Sequence, residues 1–406
     1  MSIVVIGTLD TKGVEVGFVR DQIARAGGST LVIDTGTFGH PAIEPDIPRE
    51  RVALASGQTL EQLLATGDKA RLQNGMTAGL VHIVLDLYAK GQVDGVISLG
   101  GAQGTAMATA AMRALPVGVP KVMVSTVACG KATFGPYVGT KDIVMMHSVA
   151  DILGLNAVTR QILAQAAAAV VGMSSIHAEP REAKDLIAIT QAGVTTPGVM
   201  AVKERLERLG FDVIAFHCNG IGGRAMEDLI EGEVIQGVID FSPHEVIDTL
   251  YDGLMPALPG RMTVAGKVGI PQVVAPGCAD MLLYEWREDF PPSLLCRPYV
   301  RHSPTHTHFR STAAEMSAVA RWIAERLNAG RGPRAAIIPL RGFSMMNREG
   351  KPLYDAVANM GYIETMRREL APDVERVEVD AHINDPEFAD ATVQLFLKLY
   401  KRWKEV

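Results

Sequence analysis

The sequence predicts an α/β protein built from two doubly wound, Rossmann-like parallel sheets in tandem. Three observations carry that expectation. The strand candidates are short apolar runs without polar alternation, as expected when helices cover both faces of a sheet. These runs alternate with helical stretches, the rhythm of βαβ units. The pattern that opens the chain, strand–turn–helix–Gly–strand, returns near residue 186. Length agrees, since 406 residues at roughly 100–200 per domain call for two or three domains.

Taken in order, residues 2–6 (SIVVI) form the first strand, and Gly7-Thr8-Leu9-Asp10-Thr11-Lys12 breaks it. A helix over 15–26 ends at Gly27-Gly28, and 30–34 (TLVID) is the second strand. A helix over 77–90, strand 95–98, a helix after Gly104, strand 121–125 and strand 142–146 follow, before a long Ala-rich helix. A polar, charged stretch across 172–184 marks the domain boundary, giving domains 1–178 and 179–406. The second domain opens with strand 186–190, helix 199–209, Gly210 and strand 213–217, then strands at 237–241, 272–275, 335–340 and 374–379. Segment 279–311 interrupts the rhythm with Trp286, Pro291, Pro292, Pro298 and a His-rich run, the mark of a lid or of a cover for a sheet edge.

Composition narrows the function. With 48% hydrophobic and 21% charged residues the chain is globular, not disordered. A net charge of −6 supplies no basic field for nucleic acid or an anionic membrane, and 5% aromatics disfavours base stacking. The apolar run 162–173 is too short to span a bilayer, so no membrane partner is expected. Cys129, Cys218, Cys278 and Cys296 show no zinc-type spacing, and Met1–Gly7 reads as a strand, not a leader. A reduced, cytoplasmic setting is expected.

In an open parallel sheet, ligands collect beyond the carboxyl ends of the strands, so strand-end loops hold the candidates. The loop after 95–99 is the phosphate candidate: Gly100, Gly101 and Gly104 let amides approach an anion, the next helix aims its positive end there, and Thr105 adds a hydroxyl. The alternative is that these glycines only make a tight turn and permit close helix–sheet packing. Gly7, Thr8, Leu9, Asp10, Thr11 and Lys12 add a carboxylate, hydroxyls and an ammonium. Asp10 would hold Mg²⁺ or a ribose hydroxyl, or simply cap a helix. Asp34, Thr35 and Gly36 close the second strand, where a dinucleotide fold places its ribose-binding acid, and Ser125 closes the fourth.

The second half has its own clusters. Asn219, Gly220, Gly222, Gly223 and Arg224, with Ser242 and Gly277, read as a pocket for a small anionic substrate. His217, His244, Glu245 and Arg341 are the candidate catalytic groups, with Cys218 and Asp280 beside them. His302, His306 and His308 invite a metal reading, although no paired carboxylate stands at fixed spacing.

Several long runs resemble one family: GTLDTKG at 7–13, VIDTG at 32–36, SLGGAQGTAMATAAMRALPVGVPKVMVSTVACG at 98–130 and DIVMMHSVADILGLN at 142–156. So do FHCNGIGGRAMEDLI at 216–230, GVIDFSPHEV at 237–246, VVAPGCADM at 273–281 and IPLRGFSMMNREGKPLYD at 338–355. Over essentially its full length the chain is similar to the family of the ATP-binding N-terminal domain of the tomato mosaic virus resistance protein. The resemblance implies two Rossmann-like domains, ATP held mainly in the first by the segments at 7–12, 34–36 and 100–105, and a homo-oligomer. The run RHSPTHTHFR at 301–310 departs from the family pattern through His306 and His308. The leading expectation is a cytoplasmic ATP-binding protein, with Mg²⁺ as a companion ion. The alternative is an enzyme acting on a small carboxylate or sugar acid in the interdomain cleft, with ATP as co-substrate or regulator.

Overall fold

The computed structural model describes residues 1–128, 134–176 and 184–405. The chain divides into two compact units, Met1–Pro180 and Arg181–Val406. In the first, strands β1 (Ser2–Gly7), β2 (Ser29–Asp34), β3 (Gly95–Gly100), β4 (Lys121–Ser125) and β5 (Val144–His147) form one sheet in the order β2-β1-β3-β4-β5. Every pairing is parallel. The apolar runs are sandwiched, as their lack of alternation predicts. Ile3 and Val5 face the helices Leu9–Arg25 and Ala157–Ser174, while Val4 and Ile6 face Lys69–Ala89 and Ala102–Ala114. All four side chains are fully or almost fully buried.

In the second unit β6 (Leu186–Gln191), β7 (Asp212–His217), β8 (Gly237–Asp240) and β9 (Gln272–Val274) belong to a six-stranded sheet. Three strands then leave it: β10 (Met281–Glu285), β11 (Tyr299–Arg301) and β12 (His306–Arg310) pair antiparallel as a separate sheet. The chain returns with β13 (Arg334–Pro339) and β14 (Glu375–Val379), giving the order β14-β13-β9-β8-β6-β7. The parallel strands of both units are wound alike, with the second strand outside the first and the third on its other side. The second unit adds one further strand. Each sheet therefore reverses its winding once, between β1 and β3 and between β6 and β8, and the crevice beyond those strand ends is where such folds take ligands.

Two expectations change here. Segment 279–311 is no irregular lid: it is built around the antiparallel sheet, held by rings of Tyr284, Phe290, Tyr299 and Phe309 in edge and tilted contacts. The first helix starts at Leu9, so Asp10-Thr11-Lys12 is its first turn and not a loop. Part of the boundary stretch, 177–183, and Cys129 lie outside the described residues.

Candidate functional site

At the carboxyl edge of the first sheet, many candidates turn inward. Asp34 is buried, and its Oδ1 accepts the amides of Leu9 (3.0 Å) and Gly36 (2.8 Å). It thus secures the helix start, the turn-forming role a strand-end acid also fills. Burial raises its pKa against these two hydrogen bonds. Thr105 and Ser125 are fully buried and share one hydrogen bond of 2.7 Å, so neither hydroxyl faces a ligand. Thr35 and Gly36 are buried too, and a side chain on Gly7 would run into Val16.

What remains accessible is a smaller set. Thr8 and Thr11 link hydroxyls at 3.0 Å on the first turn of Leu9–Arg25. Lys12 donates to the Ile152 carbonyl. Asp10 Oδ2 accepts the amides of Thr37 (3.0 Å) and Phe38 (2.8 Å), while Oδ1 has no hydrogen-bond partner. That oxygen is buried as well as unpaired, so the fold leaves it uncommitted without exposing it. On β3, Gly100 is tight, with Gly104 Cα 3.3 Å from where a Cβ would sit. Gly101 and Gly104 are not: the nearest atoms to their added Cβ positions lie at 3.7 and 3.9 Å, ordinary contact distances. Packing demands glycine at 100 and leaves it unexplained at 101 and 104.

The second unit reads the other way. Gly220, at φ +79°, faces the Pro256 carbonyl, Gly222 faces the His217 carbonyl, Gly223 faces Glu245, and Gly277 faces the Phe241 carbonyl. Close packing accounts for all four. Asn219 Oδ1 accepts the Gly222 amide, and Ser242 pairs with Thr195 at 2.7 Å in the interior. Arg224 pairs with Asp228 at 2.7 Å.

Glu245 and Arg341 do not stand with the histidines. Glu245 is fully buried and accepts from Gly220, Gly223 and Arg261, the last at 2.6 Å. Arg261 also grips Asp240 with two bonds of 2.5 and 2.6 Å and reaches Glu227 at 3.2 Å. This buried cluster is structural, and its centre lies sixteen residues beyond Glu245 in a Pro/Gly-rich stretch with no local signal. Arg341 is exposed and forks onto Asp380 at 2.7 Å.

His217 and His244 do come together, in a cavity of about 380 Å³ within the second unit. It lies against the ends of β6 and β7 and is faced by β10 and β12, so His302, His306 and His308 line it as well. Its apolar wall includes Val194, Met281 and Leu283. His308 stands opposite Leu283 across the β10–β12 pairing. Burial, together with the neighbouring imidazoles, pushes the His308 pKa down to about 3, so it is neutral. His244 is buried with its Nε2 3.4 Å from Asp248 Oδ2, an ionic contact outside hydrogen-bond alignment. Burial lowers its pKa, but the Asp248 carboxylate outweighs that and leaves it raised. Spacing offered a sign of this pair, since positions 244 and 248 share one helical face.

Cys218 and Cys278 line the cavity as buried thiols, and burial pushes both well above the ordinary thiol range, which excludes a thiolate nucleophile. Asp280 is buried and accepts from Ser344 at 2.7 Å. Among the described residues no three His, Cys, Asp or Glu side chains are arranged to hold a metal ion, which leaves the metal reading of the histidines without a site.

With this geometry in place, comparison with known proteins decides the family. The N-terminal domain of the Uncharacterised protein family (UPF0261) matches residues 1–179, and its C-terminal domain matches 184–400. The chain belongs to the UPF0261 family. A UPF0261 protein of Clostridium tetani is 41% identical over 402 residues, covering 98% of this chain and 99% of its own length. The ToMV resistance protein Tm-1(GCR237) of Solanum lycopersicum is 33% identical over 428 residues, covering 99% of this UPF0261 chain and 56% of the tomato protein. Among solved structures, a UDP-GlcNAc 2-epimerase of Methanocaldococcus jannaschii aligns over 98% of this chain and 93% of its own, at 9% identity and a TM-score of 0.23, too low to carry an argument. Among the described residues no helix is long and apolar enough to cross a membrane.

Proposed function

We propose that this UPF0261 chain binds ATP at the switch point of its first sheet, beyond β1 and β3. One observation carries the reading: glycine stands at 101 and 104, where neither φ nor packing asks for it. A glycine kept where a side chain would fit clears the approach of a ligand to the main chain. The amides at the start of the helix Ala102–Ala114 point the positive end of thirteen residues at the same spot, a ready anion site. Asp10, one strand away on the first turn of its helix, would hold a magnesium ion through Oδ1, and Lys12 on the same turn would supply positive charge. Thr8 and Thr11 offer further hydroxyls. The resemblance drawn from the motifs makes the nucleotide ATP, and with it goes the expectation of a cytoplasmic homo-oligomer.

The test is Gly101→Val, assayed by calorimetric titration with MgATP. The added branch would occupy the approach to the amides, so affinity should fall by at least about tenfold while the protein stays folded. Unchanged ATP affinity in a folded Gly101→Val protein would remove the site from β3. The enzyme alternative keeps His217 and His244, which share one cavity, without Glu245 and Arg341, whose charges are spent on Arg261 and Asp380.

A further inference from the structure

We infer that the cavity of the second unit is a binding site for a compact organic carboxylate, its anionic group held between His244 and His308 and its apolar body against Met281 and Leu283. Two buried ring nitrogens of lining residues lack an aligned hydrogen bond: His308 Nδ1 has no partner, and His244 Nε2 has only the ionic contact with Asp248 at 3.4 Å. Buried polar atoms are ordinarily paired, and two orphans in one cavity mark where a ligand or water completes the set. The polar side chains of the lining are imidazoles and the Ser303 hydroxyl, with no carboxylate among them. Asp248 is close to His244 but is fully buried outside the lining, where it accepts the amides of Met255 and Leu283 at 2.9 and 3.1 Å. Negative charge is therefore placed beside the imidazole at Nε2, raising its proton affinity, while no carboxylate lines the cavity itself.

A second feature aims at the same space. Gly193 and Val194 line the cavity at the turn that leads from β6 into the helix Thr196–Arg208, beside the switch point of this sheet. The positive end of that helix favours an anion. Gly193 has nothing within 4 Å of where a Cβ would stand, so the residue leaves room that packing does not need. Size then selects the class. Ligand pockets run from about 300 to 1,000 Å³, and 380 Å³ lies at the small end, too little for a nucleotide but adequate for a short acid.

The proton affinities of the two imidazoles are also shifted in opposite directions, His244 up and His308 down. That divergence is how one pocket acquires a proton donor and a proton acceptor.

Binding is tested on the intact protein by NMR of its histidine-labelled imidazoles, titrated with acetate, pyruvate, L-malate and inorganic phosphate, with acetamide as the uncharged counterpart of acetate. The expected result is a saturable shift of the His244 and His308 signals with at least one carboxylate, and none with acetamide. His244→Phe and His308→Phe should each weaken it roughly ten- to a hundredfold, the span of one hydrogen bond to a charged group. Should either variant fail to fold, Gly193→Leu decides. Its side chain enters open space, so the unliganded protein should melt as before while carboxylate binding is lost. No shift with any carboxylate, equal binding of acetamide, binding of phosphate alone, or full carboxylate affinity in Gly193→Leu would each overturn the inference.

Discussion

Arg261 shows how much one residue can decide. Its guanidinium is 3% exposed and meets three carboxylates, Asp240, Glu245 and Glu227, all buried. Three carboxyl groups surround one guanidinium, and burial raises the Glu227 pKa against the pull of Arg261. The cluster ties the β8 end, the helix Ile221–Glu231 and the turn at Gly220 to one point. Arg261→Ala would leave buried carboxylates uncompensated and should cost about 3–5 kcal/mol. Chemical denaturation reads that loss as a lower midpoint, and an unchanged midpoint would mean the cluster is dispensable. Glu245 was legible as a charged strand-end residue, but its partner was not, because the pairing is made by tertiary contact.

At the scale of elements, the two Gly-rich turns look alike in sequence and differ in cause. Gly220 has φ +79°, and a Cβ there would strike the Pro256 carbonyl. Gly101 has φ −81° and room for a Cβ at ordinary contact distance. Gly220→Ala should therefore destabilise by about 1–3 kcal/mol, from strain alone. Gly101→Ala should stay within about half a kcal/mol. Thermal unfolding of the two single variants separates them, and equal losses would show that both turns are merely structural. The antiparallel sheet β10–β12 is the other element that local reasoning missed. Its prolines and histidines read as a loop, whereas its alternation serves a different purpose, turning His306 and His308 to one face and Thr307 and Phe309 to the other.

For the whole molecule, the buried histidines couple stability to pH. His308 has an ordinary pKa of 6.5 when unfolded and about 3 when folded. Between these values the unfolded chain binds a proton that the native state refuses, so stability is fully present above 6.5 and declines as pH falls toward 3. His244 has the opposite sign, since its raised pKa contributes stability below 6.5 that is lost as pH rises through its folded value. Asp34, Glu227 and Asp280, all raised, likewise favour the native state on the acid side and oppose the His308 loss. Comparing wild type with His308→Phe isolates the imidazole, and the variant should lose less stability between pH 6.5 and 4 in urea titrations. Parallel losses in the two proteins would contradict the neutral, buried state of His308.

The sequence by itself determined the fold class, two parallel sheets wound alike, because the run length, apolarity and spacing of strands and helices are local properties that survive any packing. It also marked the strand ends as the places for chemistry. Which strand-end residues face a ligand was decided only by tertiary structure. Asp34, Thr105 and Glu245 carry ligand-binding side chains but spend them on neighbours brought in by the fold, whereas Gly193, His244 and His308 line a cavity and Gly101 has room for a side chain it does not carry. The physical reason is that a polar group's role depends on whether its hydrogen bonds are already satisfied, and those partners come from distant parts of the chain.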